Sequence, residues 1–322
     1  MDIGHFETSV EMVIENYLLE RHSASGLHEM ANERFFRKKL EELFLKGTGG
    51  MAFVDNTLVG FLIFGEKFTV TNSGAKGAAS PLYGYGIRYS ERRKVIEKLL
   101  QYVASELCEN FAQRLSVSVY AHDTEILWTY LVNGFFLELT GAVRDVISPI
   151  TTEMQGKYSF KELGKKELIN HKVEIIELYR GLINHLRVSP IFYHGRNFLP
   201  VEKRLDDFLK ENTRIFAVFD GNRLIGMIDS EPVDDGFAKD DIEALNMSDV
   251  FIELAYRGSG IAAALLKYAN EELKSSGTRR LFVTHGTINP TANGFWDKYF
   301  ANYYYSMTRL IDPEMLGKIK PV

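Results

Sequence analysis

The chain has few of the residues that cross-link a fold or hold a metal through sulfur. Of its 322 residues, one is cysteine and eight are proline. A single thiol excludes an internal disulfide and any zinc site built on cysteines. Cys108 falls in an amphipathic helical pattern, so we expect a buried thiol rather than a nucleophile, and we expect no metal.

Long apolar runs and an excess of positive charge are missing as well. No run approaches the ~18 residues of a membrane-spanning helix, and the acidic start MDIGHFETSVEM is unlike a signal peptide. A formal net charge of −5 argues against non-specific binding to nucleic acid. We therefore expect a cytoplasmic monomer or homodimer that binds neither membrane nor nucleic acid.

What the chain does have is the composition and length of two globular domains, with 45% hydrophobic and 25% charged residues. The hairpin pattern MAFVDNTLVGFLI (51–63) recurs as FAVFDGNRLIGMI (216–228), and its glycines, Gly60 and Gly226, are 166 positions apart. The same offset matches further pairs: Leu99-Leu100 with Leu265-Leu266, Tyr102 with Tyr268, Asp123 with Asn289, and Tyr130 with Trp296. One sustained offset predicts two copies of one unit.

Each copy predicts helices first, then a hairpin, a third strand, a long helix, a strand, a further helix and a final strand. This alternation predicts an α/β (α+β) fold in which a mixed sheet is covered by helices. The third strand and long helix of each copy are expected at 83–89 and 92–108, then at 249–254 and 260–275. VISPITTEMQGKY (146–158) breaks the pattern with a proline and polar residues. We therefore predict domains 1–149 and 150–322.

A glycine-rich turn, Arg257-Gly258-Ser259-Gly260, joins a predicted strand to a predicted helix. Free backbone N–H groups and the positive end of the helix dipole suit a phosphate there. A dinucleotide site would need an acidic residue at the end of the next strand, where LFVTH ends in His285. The alternatives that remain are a tight turn packed closely on the sheet and a coenzyme A diphosphate loop.

A resemblance to a known family supports the coenzyme A diphosphate loop. Arg257-x-x-Gly260-x-Ala262 resembles the R/Q-x-x-G-x-G/A loop of the GCN5-related N-acetyltransferases (GNAT), Ile252 stands where they have a fourth-strand valine, and Asn289 and Ala292 resemble their N-x-x-A motif. Because the repeat extends the resemblance to both halves, it implies two tandem GNAT-like domains, each a twisted mixed β-sheet flanked by helices. It also implies acetyl-CoA as cosubstrate, held by Val250, Phe251, Ile252, Arg257, Gly258, Ser259, Gly260, Ile261, Ala262, Ala263, Asn289 and Trp296.

The first copy lacks this loop. At the 166 offset, ERRKVI (91–96) stands opposite RGSGIA, so both glycines are gone. Arg93 and Lys94 place bulky side chains where the backbone would have to approach a phosphate. We therefore expect the N-terminal domain to have no functional cofactor loop, with a residual anion site at Arg92 to Lys94 as the alternative.

The resemblance implies acetyl transfer to a primary amine, which must first lose a proton. The candidates for the base are Glu253, then Asp249 and His285. The family's general acid is a tyrosine, but Trp296 stands at its position, and an indole N–H does not release a proton at useful pH. We expect the acid among Tyr299, Tyr304, Tyr303 and Tyr305, with Tyr299 ahead of Tyr304.

The segment DSEPVDDGFAKDDIEAL (229–245) carries seven acidic residues against Lys239. It indicates either a cationic acceptor, which would be a small-molecule amine or a basic side chain, or a solvated acidic loop. Two other classes of protein stay open. One is a non-catalytic acyl-CoA-binding module, favoured by Trp296 and the degenerate first half. The other is an interaction scaffold without a ligand.

Overall fold

A computed structural model describes residues 3–65, 67–70, 74–109, 112–154, 156–193, 200–210, 213–234, 236–312 and 314. The chain forms two compact units, one of residues 1–142 with 301–322 and one of residues 143–300. The break in the sequence pattern at VISPITTEMQGKY predicted the division at 149/150, whereas the compact units divide at 142/143.

The first unit has the predicted order of elements. Its helices and strands are α1 (Phe6–Ser23), α2 (Glu33–Lys46), β1 (Thr48–Val54), β2 (Thr57–Phe64), β3 (Phe68–Thr69), β4 (Lys76–Ser80), β5 (Tyr85–Ile87), α3 (Arg92–Glu109), β6 (Arg114–Tyr120), α4 (Thr124–Val132) and β7 (Phe136–Asp145). Three strands pair in the order β1-β2-β5. The third strand of the repeat is thus split into β4 and β5.

The last strand of the chain also belongs to the first unit. This strand, β13 (Ala301–Leu310), lies between β6 and β7 and pairs antiparallel with β6, from Tyr304↔Tyr120 to Leu310↔Arg114. Its Met307 is fully buried in the core beneath α3 and α4. This backbone pairing is the reason why the compact units do not follow the two halves of the repeat.

The second unit carries one sheet in the order β12-β11-β10-β9-β8. Its elements are β8 (Ser159–Glu162), α5 (Lys165–Asn170), α6 (Lys172–Arg187), α7 (Val201–Lys210), β9 (Arg214–Asp220), β10 (Arg223–Pro232), β11 (Ala244–Ile252), α8 (Ile261–Ser275), β12 (Arg280–Gly286) and α9 (Pro290–Trp296). Only the pair β11 and β12 is parallel among these five strands; the others are antiparallel.

Helices cover this sheet because their apolar residues recur at helical spacing. On α8, Leu265, Ala269 and Leu273 are fully buried at intervals of four residues. On α6, Ile175 and Tyr179 are buried four residues apart and join the core formed with α7, β9 and β10. The helical spacing of apolar residues in the sequence is therefore what packs these helices onto the mixed sheet.

Three sequence-based expectations can be compared directly with the fold. Within the described ranges, no helix is long and apolar enough to cross a bilayer. In the same ranges, no three metal-ligating side chains lie together. Cys108 is buried on α3, as predicted, and burial raises the pKa of its thiol.

Candidate functional site

The strands β11 and β12 part at one end of the second unit's sheet. Their pairing runs from Ala244↔Arg280 to Met247↔Val283, yet β11 continues to Ile252. Just beyond the last pair, the pairing of β10 with β11 contains a bulge. A bulge bends the bulged strand, which helps β11 to leave its neighbour.

The parted edge of β11 presents backbone donors. The N–H of Glu253 donates to the carbonyl of Ile225 on β10. Because alternate residues of a strand direct their N–H groups to opposite sides, those of Val250 and Ile252 point to the parted edge. Two N–H groups thus face the space between the strands.

The glycine turn follows β11 and has left-handed residues. Gly258 has a φ of +79° and Gly260 a φ of +82°, a conformation that side chains disfavour. A Cβ on Gly258 would meet open space, whereas a Cβ on Gly260 would lie 2.2 Å from the carbonyl oxygen of Glu153. The open approach expected at both glycines is therefore found at Gly258, while Gly260 is small because a neighbouring backbone lies against it.

Arg257 fixes the turn to the strand. Its Nε donates to the carbonyl of Ile252 at 2.9 Å, and its guanidinium lies 4.8 Å from the centre of the Phe251 ring. Burial lowers the pKa of Arg257, but a guanidinium stays charged in proteins. A fixed positive charge therefore stands at the start of the turn.

Asn289 begins the next helix. Its Oδ1 accepts hydrogen bonds from the N–H groups of Thr291 at 3.1 Å and Ala292 at 3.2 Å, so it caps α9. The N-x-x-A spacing of the sequence is thus the spacing of a helix cap and the first-turn residue that it bonds.

These elements enclose a cavity of about 510 Å³. Ten of the twelve residues predicted for the cofactor line it: Val250, Phe251, Ile252, Arg257, Gly258, Gly260, Ile261, Ala262, Ala263 and Asn289. Tyr299, the first candidate for the acid, lines it as well. The two other predicted cofactor residues do not. Ser259 Oγ donates to the carbonyl of Tyr256 at 2.6 Å, and Trp296 is buried.

Neither Trp296 nor Tyr304 is among the residues that line this cavity. Trp296 packs edge-on against Phe295 and Phe300, with ring centres 4.8 and 5.1 Å apart. Tyr304 belongs to the first unit, where its ring occupies the space beside Gly141.

Glu253 is engaged elsewhere. Its carboxylate accepts two hydrogen bonds from Arg223 Nη2, at 3.0 and 2.7 Å, and it does not line the cavity. Its direction follows from its place after the end of β11, because the chain turns there into the short helical turn Leu254–Tyr256. The structure thus does not bring the first candidate for the base to the cofactor cavity.

Asp249 is the carboxylate beside the parted edge, one residue before Val250. Tyr179 Oη donates to its Oδ2 at 2.7 Å, and Arg204 Nε donates to Tyr179 Oη at 3.3 Å. The Asp249 N–H donates to Oδ1 of the fully buried Asp229 at 3.1 Å. Burial, then the charge of Asp249, raises the pKa of Asp229 well above its usual range. The side chain of Asp249 is 38% exposed and therefore accessible.

Other acidic and basic candidates are used structurally. His285 is buried at the end of β12 and outside the cavity lining, and burial lowers the pKa of its imidazole. Asp241 and Glu243 of the acidic segment form ion pairs with Arg280 at 2.6 and 3.2 Å. Asp235 lies outside the described residues.

The first unit shows where the repeat slips by one residue. Gly60 pairs with Ile87, and Gly226 pairs with Ile252. The glycines are 166 positions apart, but the two isoleucines are 165 apart. The first copy is therefore one residue shorter between the third strand and the long helix, and α3 begins at once where the second copy has its glycine turn.

In the first unit, side chains occupy the equivalent place. Arg92 Nη1 donates to the carbonyl of Ile87 at 2.8 Å, as the arginine of the glycine turn does to the carbonyl five residues before it. The Arg92 guanidinium also contacts the carboxylate of Asp123, which stands where the second copy has Asn289. Tyr85 Oη donates to the same carboxylate at 3.3 Å.

The two other cations of the expected residual anion site also have carboxylate partners. Arg93 lies 3.9 Å from Glu97, and Lys94 contacts Glu91. These contacts weigh against an anion site at the start of α3, since each positive charge is already balanced nearby.

Eight residues of the cavity lining were missed: Glu153, Leu182, His185, Tyr256, Thr291, Gly294, Phe295 and Lys298. One signal for the α6 residues was present in the sequence, because Gly181 stands in the interior of a helix, where glycine is unfavourable. A Cβ on Gly181 would lie 2.6 Å from the Phe251 ring. The missing side chain lets α6 approach β11 closely.

Comparison with known proteins agrees with this geometry. Residues 182–301 match the family model described as acetyltransferase (GNAT) family. The second half of the chain belongs to the GNAT superfamily. A GCN5-related N-acetyltransferase from Sphaerobacter thermophilus is similar over 94% of this chain and 93% of its own, with a TM-score of 0.52 and 12% identity. No curated protein matches the sequence.

A second similar structure is a tandem GNAT protein from the clavulanic acid biosynthesis pathway, which covers 94% of this chain and 95% of its own at 12% identity, with a TM-score of 0.44. The similarity to the S. thermophilus protein spans nearly the whole chain, so the GNAT fold extends beyond residues 182–301. The predicted fold class, two tandem GNAT-like domains with mixed sheets, is confirmed.

Proposed function

We propose that the second unit is an acetyl-CoA-dependent N-acetyltransferase that acts on a primary amine. The observation that carries this proposal is the cavity of about 510 Å³ where the glycine turn, the first turn of α8 and the parted edge of β11 meet. Acetyl-CoA would supply the acetyl thioester there. The residues fit it: the N-terminus of α8 suits a diphosphate, Gly258 leaves the approach open, and Arg257 and Lys298 supply positive charge.

The residues at the parted edge can take the roles that acetyl transfer needs. An ammonium acceptor with a pKa near ~10.4 has no lone pair, so a base must remove its proton. Asp249 does not line the cavity itself, but it directly precedes Val250 of the lining and is held there by Tyr179, so it would take this role. The N–H groups of Val250 and Ile252 would stabilise negative charge on the carbonyl oxygen. Tyr299 would donate a proton to the departing sulfur.

The charges around Asp249 favour a cationic acceptor, a small-molecule amine or a basic side chain. Glu231 and Asp249 lie on the adjacent strands β10 and β11, whereas the raised pKa of the buried Asp229 favours its neutral form. Arg204 lies 3.9 Å from Asp249 and offsets the negative charge only in part. Ser248 Oγ donates to Glu231 Oε1 at 2.5 Å, which holds that carboxylate beside β11.

The test is release of free thiol from acetyl-CoA in the presence of an amine panel: a polyamine, an amino sugar and a lysine-containing peptide. We expect at least one amine to give turnover that Ala262→Glu abolishes. Binding of acetyl-CoA with no thiol release would instead identify a non-catalytic acyl-CoA-binding module, the alternative left open by Trp296. If acetyl-CoA does not bind at all, the remaining alternative is an interaction scaffold without a ligand.

A further inference from the structure

His185 stands in the last turn of α6 and reaches the cofactor cavity because of a glycine one turn earlier. Gly181 and His185 are four residues apart, so they lie on the same face of the helix. Gly181 rests against the Phe251 ring, where a Cβ would be 2.6 Å away. This contact brings the following turn, with Leu182 and His185, to the cavity wall.

The imidazole of His185 has an unused polar atom. Its Nε2 is buried and has no hydrogen-bond partner. A buried polar atom without a partner costs free energy, so it is retained where a ligand can satisfy it. The positive charge nearby belongs to Arg257, and the side chain of Asn289 is close enough to hydrogen-bond to the imidazole. Both of these residues line the cavity that we assign to the cofactor.

The protonation of His185 in the free protein is set by these neighbours. Burial, then the positive charge of Arg257, lowers the pKa of His185, and the Asn289 side chain opposes the shift only in part. The other titratable groups that line the cavity are Glu153, Tyr256, Lys298 and Tyr299. These neighbours therefore favour the neutral imidazole before a ligand binds.

We infer that His185 is a cofactor-binding residue: its Nε2 hydrogen-bonds to the diphosphate of coenzyme A, and the imidazole takes up a proton as the diphosphate binds. This inference rests on the proposed function. A diphosphate beside Arg257 would offset the charge that disfavours the imidazolium, and it would accept a charge-assisted hydrogen bond from it. Substrate binding at the glycine turn would then be coupled to proton uptake on α6.

The direction of the pH dependence follows. The pKa of His185 is lowered in the free protein and rises when an anion binds, so the complex binds more protons than the free protein. Affinity for coenzyme A should therefore increase as the pH falls from about 8 towards the pKa of an ordinary histidine, near ~6.5. At higher pH, the hydrogen bond remains but the charge is lost.

The test is isothermal titration calorimetry of the full chain with coenzyme A at pH 6.5 and pH 8, in two buffers of different ionisation enthalpy. His185→Gln places an amide near the position of Nε2 without a titratable group. We expect it to keep affinity at pH 8 within about threefold, but to lose most of the proton uptake. His185→Phe keeps a ring and removes the donor, and we expect about tenfold weaker binding. Asn184→Ala, on the exposed side of α6, is the matched control.

Dephospho-coenzyme A excludes the other source of protons, because the 3′-phosphate of coenzyme A titrates near pH ~6. Proton uptake that persists with this ligand and disappears in His185→Gln supports the inference. Equal proton uptake in the wild type and His185→Gln overturns it, as does unchanged affinity in both His185 variants, while the proposed function stands. If the wild type binds no coenzyme A, the proposed function itself is overturned and the inference with it.

Discussion

Trp296 occupies the family's tyrosine position, yet its ring is buried between two phenylalanines, and Tyr299, three residues on, reaches the cavity instead. A phenol holds its proton at neutral pH and can release it to a thiolate, whereas an indole cannot. We expect Tyr299→Phe to lower kcat by ~10²–10⁴-fold, with coenzyme A affinity nearly unchanged. Steady-state kinetics and calorimetry check the two parts.

Tyr304→Phe is the matched control for this change, because the structure places Tyr304 in the first unit, beside Gly141. Turnover should stay within about twofold of the wild type. If Tyr299→Phe retains wild-type turnover while Tyr304→Phe does not, the assignment of the acid is wrong. If both retain it, solvent supplies the proton.

Asp249 and Glu253 can be compared directly as candidates for the base. Both follow the bulge in β11, but only Asp249 stands beside Tyr179, while Glu253 pairs with Arg223. We expect Asp249→Asn to lower kcat/KM for the amine by ~10²–10⁴-fold. Glu253→Gln should change kcat/KM by less than about threefold. The reverse result would restore Glu253 as the base.

Among the elements, the first turn of α8 carries the sharpest test of cofactor binding. Gly260 is a poor target, because any side chain there meets both a left-handed φ and the Glu153 carbonyl. Ala262 lines the cavity on a regular helix. Glutamate is well tolerated in the first turn of a helix, so Ala262→Glu adds a negative charge without weakening α8.

We expect Ala262→Glu to weaken coenzyme A binding by about a hundredfold or more, because a carboxylate would stand within a few ångströms of the diphosphate. Ala262→Gln has the same shape without the charge and should lose much less. Calorimetry gives both affinities, and thermal melting confirms that both variants fold. Equal losses would show that bulk rather than charge is responsible.

Some helices and strands could be predicted from the sequence, and others could not. The predicted long helices, 92–108 and 260–275, agree closely with α3 and α8, because leucine spacing is a local signal and Gly260 marks the start of α8. The single offset of 166 could not show that the third strands of the two copies match at an offset of 165 residues. One residue lost in a turn leaves the patterns on both sides of it intact. The offset also could not show that Trp296 turns away from the cavity or that α6 joins it, because both depend on packing between distant segments.

At the level of the whole molecule, the sequence could not predict which sheet the last strand, β13, would join. Its sequence, ANYYYSMTRL, predicted a final strand correctly, but nothing local says which sheet will accept it. The backbone pairing with β6 assigns it to the first unit. Of the four candidate acids, Tyr299 lines the second unit's cavity, and Tyr303, Tyr304 and Tyr305 do not.

The last prediction concerns the number of cofactor sites in the chain. In the first unit, Arg92 and Tyr85 both contact Asp123 where the second unit has its cavity, and α3 begins without a glycine turn. A cofactor there would have to break an ion pair whose carboxylate is 3% exposed, and breaking a buried pair is costly.

We therefore expect calorimetry to give a stoichiometry near one coenzyme A per chain, with no site of near-wild-type affinity left in Ala262→Glu. Removal of the buried partners by the double change Tyr85→Val and Asp123→Asn, in which the first unit keeps its short turn, should not create a second site. A wild-type stoichiometry near two would contradict the asymmetry, and so would binding at near-wild-type affinity in Ala262→Glu. Either result would locate a cofactor site in the first unit despite its missing turn.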